Sequence, residues 1–402
     1  MKLGDGMYET GIMTGRGYLR PDGKKGIRNI VLIIYTVGCS THVAVEIARH
    51  FQGSDIAVDV VGCETCIDYA VMIKRLLCYT RHPNVGAVLV VGHGCEFVQA
   101  EQIAAYAAQQ GRPSAWFLDQ DFGTAKGIAH GVRLVKELHM DIKGVPNAPF
   151  SMKDLLSGAV LCNIDQSCKA AGIAFGQFSD SVVRAGGTML FSDVMGFTDY
   201  ADRWISRCAD EHAARNMSMT LQKMRHYLSE GNMANSGANW EDDCGVMEKS
   251  GAAPILGVLK IARFPERAGL WYLDAVNDYL PQMDITPPDP AAVLSGPAAA
   301  AMEIIAIGAQ MVFLITGEGS LTGTPISPLI KLTANEITYG KLSDDIDMLL
   351  RPGGTDELLN CTASIADGRL AKSELHGWKD GRIFASNQDA QVIGCPERNK
   401  QK

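Results

Sequence analysis

Three cysteines occupy the same place in three similar phrases: Ile30-Val-Leu-Ile-Ile-Tyr-Thr-Val-Gly-Cys39, Ile56-Ala-Val-Asp-Val-Val-Gly-Cys63 and Ala87-Val-Leu-Val-Val-Gly-His-Gly-Cys95. Thiolates are soft ligands. Three around one point would hold iron, as Fe2+ or in an iron–sulfur cluster, and leave a coordination position for a substrate hydroxyl. His42 and His93, beside two of these cysteines, could act as acid, base or ligand. A lone cysteine also packs as a small hydrophobe, so the repetition carries the expectation that Cys39, Cys63 and Cys95 form a metal site. Cys63-Glu-Thr-Cys66 has CxxC spacing, which without a second pair is weak evidence for zinc or a redox centre.

The elements that would position these residues follow from the same phrases. Short β-branched runs closed by glycine read as buried strands, and the stretches between them have room for crossover helices, so the expected assembly is parallel βαβ. The cysteines then share the carboxyl edge of one sheet, where open parallel sheets bind ligands. Helices are predicted over 41–51, 67–79, 101–110 and 124–139, with a further strand over 115–118. The first two helices begin near the cysteines, and helix amino termini stabilise anions and thiolates. Residues 17–29 read as turns with a solvated basic rim, and Pro21-Asp-Gly23 is the clearest turn signal. Lys143-Gly-Val-Pro-Asn-Ala-Pro149 reads as a linker. The expected fold is thus α/β: a Rossmann-like parallel-sheet domain over 17–143, followed by a larger α/β domain over 150–390.

In the second half, Gly158-Ala-Val-Leu-Cys162-Asn repeats the strand-cysteine pattern. A strand over 186–192, a helical stretch over 200–230, a helix over 298–308 and a strand over 309–316 follow the same reasoning. The loop 231–251, with Glu241-Asp-Asp243 and Cys244, reads as solvated surface, and the proline-rich 281–297 as an exposed connection. Gly317-Glu-Gly-Ser-Leu-Thr-Gly-Thr-Pro325 is a loop suited to bringing backbone amides near an anion, yet it lacks the Walker spacing for a nucleotide. Glu318, Gly323 and Thr324 in it, with Lys331 and Asn335 four apart beyond it, are the substrate-binding candidates; Lys331 and Asn335 share a face if that segment is helical.

The 402 residues, 47% hydrophobic, can bury large cores in two or three domains. A net charge of −8 argues against nucleic acid or an anionic membrane as partner. Eleven cysteines in a chain of this length fit reduced thiols in a cytoplasm better than a disulfide framework. No apolar run is long enough to span a bilayer.

From about Gly17 to Phe384 the sequence resembles the altronate and galactarate dehydratases. The resemblance rests on Gly17-Tyr-Leu-Arg-Pro-Asp-Gly23, Gly26-Ile-Arg-Asn29, Thr36-Val-Gly-Cys39, Arg81-His-Pro-Asn-Val-Gly86 and Val90-Val-Gly-His-Gly-Cys-Glu96, then on Gly186-Gly-Thr188 to Ser192, Thr316-Gly-Glu-Gly319, Gly323-Thr-Pro325, Lys331 and Asn335. It implies an iron-dependent hydro-lyase that removes water from a polyhydroxy acid to give a 2-keto-3-deoxy product. Such an elimination needs a base for the α-proton, assistance to the departing hydroxyl, and positive charge for the carboxylate. It also implies a large subunit working with a separate small one, in a homo- or hetero-oligomer. Three departures bear on the substrate: Glu318 stands where the sugar-acid enzymes have arginine, Leu321-Thr322 lengthen the loop, and Cys162-Asn-Ile-Asp165 replaces a glycine-rich stretch. They keep open a C–S lyase acting on (R)-sulfolactate; a non-catalytic binding subunit is the third reading, since the separate small subunit could hold part of the active site.

Overall fold

The computed structural model describes residues 15–63, 70–192, 200–230, 245, 247–260, 262–274, 297–377, 379 and 382–383. Cys66, the acidic group Glu241 to Asp243 with Cys244, and residues 281–296 of the proline-rich connection lie outside the described residues.

In chain order the first part comprises β1 (Gly15–Leu19), β2 (Lys25–Gly26), β3 (Ile30–Tyr35), α1 (Thr41–Arg49), β4 (Val58–Cys63), α2 (Ala70–Thr80), β5 (Val85–Gly92), α3 (Ala100–Gln109), β6 (Ser114–Leu118) and α4 (Thr124–Ile142). Then come β7 (Asn147–Phe150), β8 (Leu156–Cys162), α5 (Ser167–Arg184), β9 (Thr188–Phe191), α6 (Ala201–Ser206), α7 (Glu211–Glu230), β10 (Ile255–Lys260) and β11 (Gly269–Asp274). The chain continues through α8 (Pro297–Ala306), β12 (Met311–Thr316), β13 (Leu329–Thr333), α9 (Glu336–Lys341), β14 (Met348–Leu349), α10 (Thr355–Ala366), α11 (Lys372–Leu375) and β15 (Arg382–Ile383).

Two all-parallel sheets carry the molecule, ordered β15-β4-β3-β5-β6 and β10-β11-β9-β8-β12-β13-β14. The apolar runs explain the layering. With side chains alternating between faces, Val31, Ile33 and Tyr35 join a core with α1 and α4, while Ile30, Leu32 and Ile34 face a second core built from α2, α3 and α8. That second core also takes Val160, Val312, Leu314 and Leu329 from the larger sheet, so the helices between the sheets bury one face of each. The other face of the larger sheet packs Phe313 and Ile315 against Phe175 and Phe178 of α5. Each such side chain, fully buried, contributes about 1.5–3 kcal/mol.

Several expectations need correction. The supposed linker holds β7, which pairs antiparallel with β1, and the supposed turns hold β1 and β2. The strand β15, late in the chain, returns to pair with β4 of the first sheet. The long helical stretch breaks between α6 and α7. The basic rim is not solvated either: Arg20 is buried, and Arg28 forms an ion pair with Glu374 at 2.8 Å.

The run Arg81-His-Pro-Asn-Val-Gly86 turns out to be a joint between the sheets. His82 Nδ1 accepts the Asn84 amide at 3.0 Å, which places the ring proton on Nε2, and Nε2 donates to the Ala309 carbonyl at 3.0 Å. Asn84 donates to the Gln310 and Ile326 carbonyls and accepts from the Ile27 amide. This joint lies at the amino ends of β5, β12 and β13, so all three strands run away from it towards the opposite edge.

Candidate active site

In an open parallel sheet a crevice forms where neighbouring strands are followed by connections leading in opposite directions. In the five-stranded sheet the chain passes from β3 to β4 on one side and then back to β5 on the other, which puts the crevice beyond β3 and β5. In the seven-stranded sheet β8 leads to β9 on one side while β12 flanks it on the other, which puts a second crevice beyond β8 and β12.

Both crevices hold a carboxylate seated against a strand-end glycine. At the first, Glu96 Oε1 accepts the Thr36 hydroxyl at 2.6 Å and the His93 amide at 3.0 Å, and Oε2 accepts the Gly94 amide at 2.7 Å. A Cβ on Gly92 would overlap that carboxylate. Burial alone would raise the Glu96 pKa, but the Thr36 hydroxyl and the loop amides outweigh it and hold the group below its ordinary value. Glu96 is therefore an acceptor that fixes the loop carrying His93. At the second, Asp165 accepts the Ser167 amide at 2.8 Å and the Asn335 side-chain amide at 2.8 Å, and Gly317 leaves the space it fills. Asn163, at φ 46°, accepts the Gly317 and Glu318 amides through its carbonyl.

His93 stands at the first crevice. Its Nδ1 lies 2.6 Å from Oδ1 of Asp119, a buried carboxylate just beyond β6, the strand beside β5. A carboxylate at Nδ1 holds the proton there and turns the Nε2 lone pair outward, as a general base requires. Asp119 went unnoticed in the sequence because an acid after a strand is ordinary; its place at the end of the strand next to β5 was the available signal. Beyond β3, the strand beside β5, come Ser40, 0% exposed and just ahead of α1, and Thr41 at the start of α1, whose hydroxyls have no hydrogen-bond partner among the described residues.

The other candidates fall as follows. His42 is exposed on the first turn of α1. Cys39, Cys63 and Cys95 do lie at or beyond the ends of β3, β4 and β5 respectively, but Cys39 and Cys95 are exposed, whereas Cys63 is buried with its sulfur 3.9 Å from that of Met72. Among the described residues no group of three or more His, Cys, Asp or Glu side chains is arranged to hold a metal ion. Glu318 is exposed at the second crevice. Beside it the Cys162 thiol is raised by burial, against the opposing hydrogen bond of Ser320. Gly323 and Thr324 are buried where the loop has returned to the amino side, with the Thr324 hydroxyl donating to the Ser327 carbonyl. Lys331 and Asn335 do not share a helix. Lys331 is fully buried in β13, its ammonium disfavoured by burial and supported by Asp347 and Asp345, while Asn335 caps α9 by accepting the Ile337 and Thr338 amides.

Sequence reasoning also missed a charged group farther along the larger sheet. Asp274, fully buried at the end of β11, takes Lys223 of α7 at 2.5 Å and Lys260 of β10 at 2.8 Å on one oxygen. No helix among the described residues is long and apolar enough to cross a membrane.

Residues 17–143 match the second domain of the D-galactarate dehydratase/altronate hydrolase family, and residues 165–388 match the carboxyl-terminal domain of the D-galactarate/altronate dehydratases. The chain is 27% identical to an altronate dehydratase of Bacillus subtilis, across 94% of its own length and 79% of the relative's. It is 26% identical to an altronate dehydratase of Escherichia coli, across 92% and 77%. Identity to the (2R)-sulfolactate sulfo-lyase subunit beta of Chromohalobacter salexigens is 24%, across 90% and 95%. With both domain profiles matched in order over most of its length, the chain belongs to the D-galactarate and altronate dehydratase family.

Proposed function

We propose that this protein is a hydro-lyase that removes water from a small hydroxylated carboxylate, of the altronate or galactarate type, to give a 2-keto-3-deoxy acid. The observation that carries the reading is the His93–Asp119 pair at the crevice between β3 and β5. His93 Nε2 takes the proton α to the carboxylate, and the electron pair passes into an enolate. The β-hydroxyl leaves as water with the proton that His93 took, which returns His93 to its neutral form, and the resulting enol ketonises. Asp119 stabilises the imidazolium formed, and Glu96 keeps the loop in place. The first turn of α1, with the Ser40 hydroxyl, is the seat for the substrate carboxylate.

Iron and a separate small subunit belong to this proposal as expectations. The first rests on Cys39, Cys63 and Cys95; the second on the naming of one relative as a subunit. The steps above use side chains alone. Iron analysis of anaerobically purified protein tests the metal, and co-purification tests the subunit.

A second reading, C–S cleavage of a sulfonated hydroxy acid, is kept open by the altered loop at Glu318, exposed at the second crevice, and by the 24% identity to the sulfo-lyase subunit. Incubation with altronate, galactarate and sulfolactate, scored for 2-keto acid and for sulfite, separates the readings. Keto-acid formation without sulfite supports dehydration. Sulfite release supports the second reading, and inertness towards all three contradicts both.

A further inference from the structure

The basic side chains at the domain joint form a cluster that nothing in the proposed reaction uses. Arg20 is buried, and its guanidinium donates to the Pro83 carbonyl at 2.6 Å, the Asn29 side chain at 2.9 Å and the Arg28 carbonyl at 3.0 Å, all neutral acceptors. Arg112, 2% exposed, sends Nη2 to the Arg81 carbonyl at 3.4 Å, while its Nε and Nη1 have no hydrogen-bond partner among the described residues. Arg81 and Lys24 lie over the same Phe264 ring, at 4.1 and 5.2 Å from its centre. Lys24, 41% exposed, and the half-buried Arg81 form the mouth, with Arg112 and Arg20 behind. Asp22, 3.8 Å from Lys24, is the carboxylate paired within the group, so four cations face one anion, an excess of three positive charges in a chain whose net charge is −8.

Burying cations without counter-charge is costly, and a guanidinium with unused buried donors doubly so. The mutual repulsion is visible: burial first, then Arg112, pulls the Arg20 pKa down to about 9, and burial lowers Lys24 and Arg112 as well. An oxyanion supplies what is missing, since its oxygens accept from Arg112 and its charge offsets the group. We propose that the cluster of Arg20, Lys24, Arg81 and Arg112 is a binding site for a small oxyanion, a carboxylate or a phosphate, held between the first sheet and the Phe264 loop of the second. The eight residues of β5 separate it from the reaction crevice by roughly 25 Å, so its ligand acts on the joint and not on the reacting atoms.

Thermal unfolding of the full chain tests this, at constant ionic strength with chloride replaced by inorganic phosphate or, separately, by malonate. The expected result is a saturable rise in Tm of roughly 3 °C with at least one of them, lost in Arg112→Gln and reduced in Lys24→Gln. A rise with phosphate alone identifies a phosphoryl ligand, and with malonate alone a carboxylate. Should Arg112→Gln not fold, Arg81→Gln at the mouth takes its place and is expected to reduce the shift. His93→Gln, in the crevice, retains it. No rise over chloride with either anion, a full shift in the cluster variants, or loss of the shift in His93→Gln would overturn the proposal.

Discussion

The two ends of β5 carry two histidines that differ in every respect relevant to chemistry. At the amino end His82 is 1% exposed, both ring nitrogens are committed, and burial opposed by the Ala309 bond leaves its pKa at about 3. At the carboxyl end His93 is partly exposed, with Nδ1 on a buried carboxylate. The lesson is that both lie in well-marked sequence runs, yet one ties the two sheets together through the Ala309 carbonyl and the other meets a buried carboxylate at a strand end. What separates them is which end of a parallel strand each occupies.

The largest expected effect that sharpens this contrast is at His93. His93→Gln should lower kcat by about 10²- to 10⁴-fold, and Asp119→Asn should follow it, with melting temperatures close to that of the unaltered protein. Equal losses of activity and of folded protein would erase the distinction between the two histidines.

His82→Leu should do the reverse, costing about 2–4 kcal/mol of stability by leaving the Asn84 amide without its partner and the Ala309 carbonyl with the Ser327 hydroxyl alone. The pH dependence carries a signature. The fold keeps His82 neutral down to about 3, whereas the unfolded chain takes a proton near the ordinary value of 6.5. Stability is therefore full above 6.5 and declines as pH falls from 6.5 towards 3. Denaturant titrations across that range should show the decline, and His82→Leu should flatten it.

Glu96 gives a smaller effect in a lower window. Its folded pKa lies below the ordinary 4.5, so its contribution is present above 4.5 and lost as pH falls through the folded value. Glu96→Gln should remove that acid-side decline, leave the decline between 6.5 and 4.5 unchanged, and loosen the His93 loop enough to lower kcat. An unaltered acid limb would show that Glu96 is not held as the structure has it.

Among the cysteines, Cys78→Ser, buried in α2, should cost about 1–3 kcal/mol, while the exposed Cys39→Ser and Cys95→Ser should stay within about 0.5 kcal/mol. If Cys95 holds iron, Cys95→Ser also loses it; equal metal content in both proteins would leave the cysteine phrases as strand endings.

Much of this was legible in the sequence. The apolar runs from Ile30, Ile56 and Ala87 became β3, β4 and β5, because β-branched residues closed by glycine fit a doubly covered sheet. Contacts between distant residues were not: Asp119 meets His93 from a different strand, and Arg28 meets Glu374 from the far end of the chain. Leu329-Ile-Lys-Leu-Thr333 was open to a helical reading because the spacing of Lys331 and Asn335 suits a helix, although its β-branched, apolar character is that of the strand it forms. The basic residues after Gly17 read as a rim since charge is normally solvated, and only tertiary packing revealed their burial.

The most direct test of the account is the turnover number of His93→Gln beside the unaltered protein, on whichever of altronate, galactarate or sulfolactate the latter consumes. The account predicts a fall of at least about 100-fold with the melting curve unchanged; a variant within threefold of the unaltered rate would contradict it.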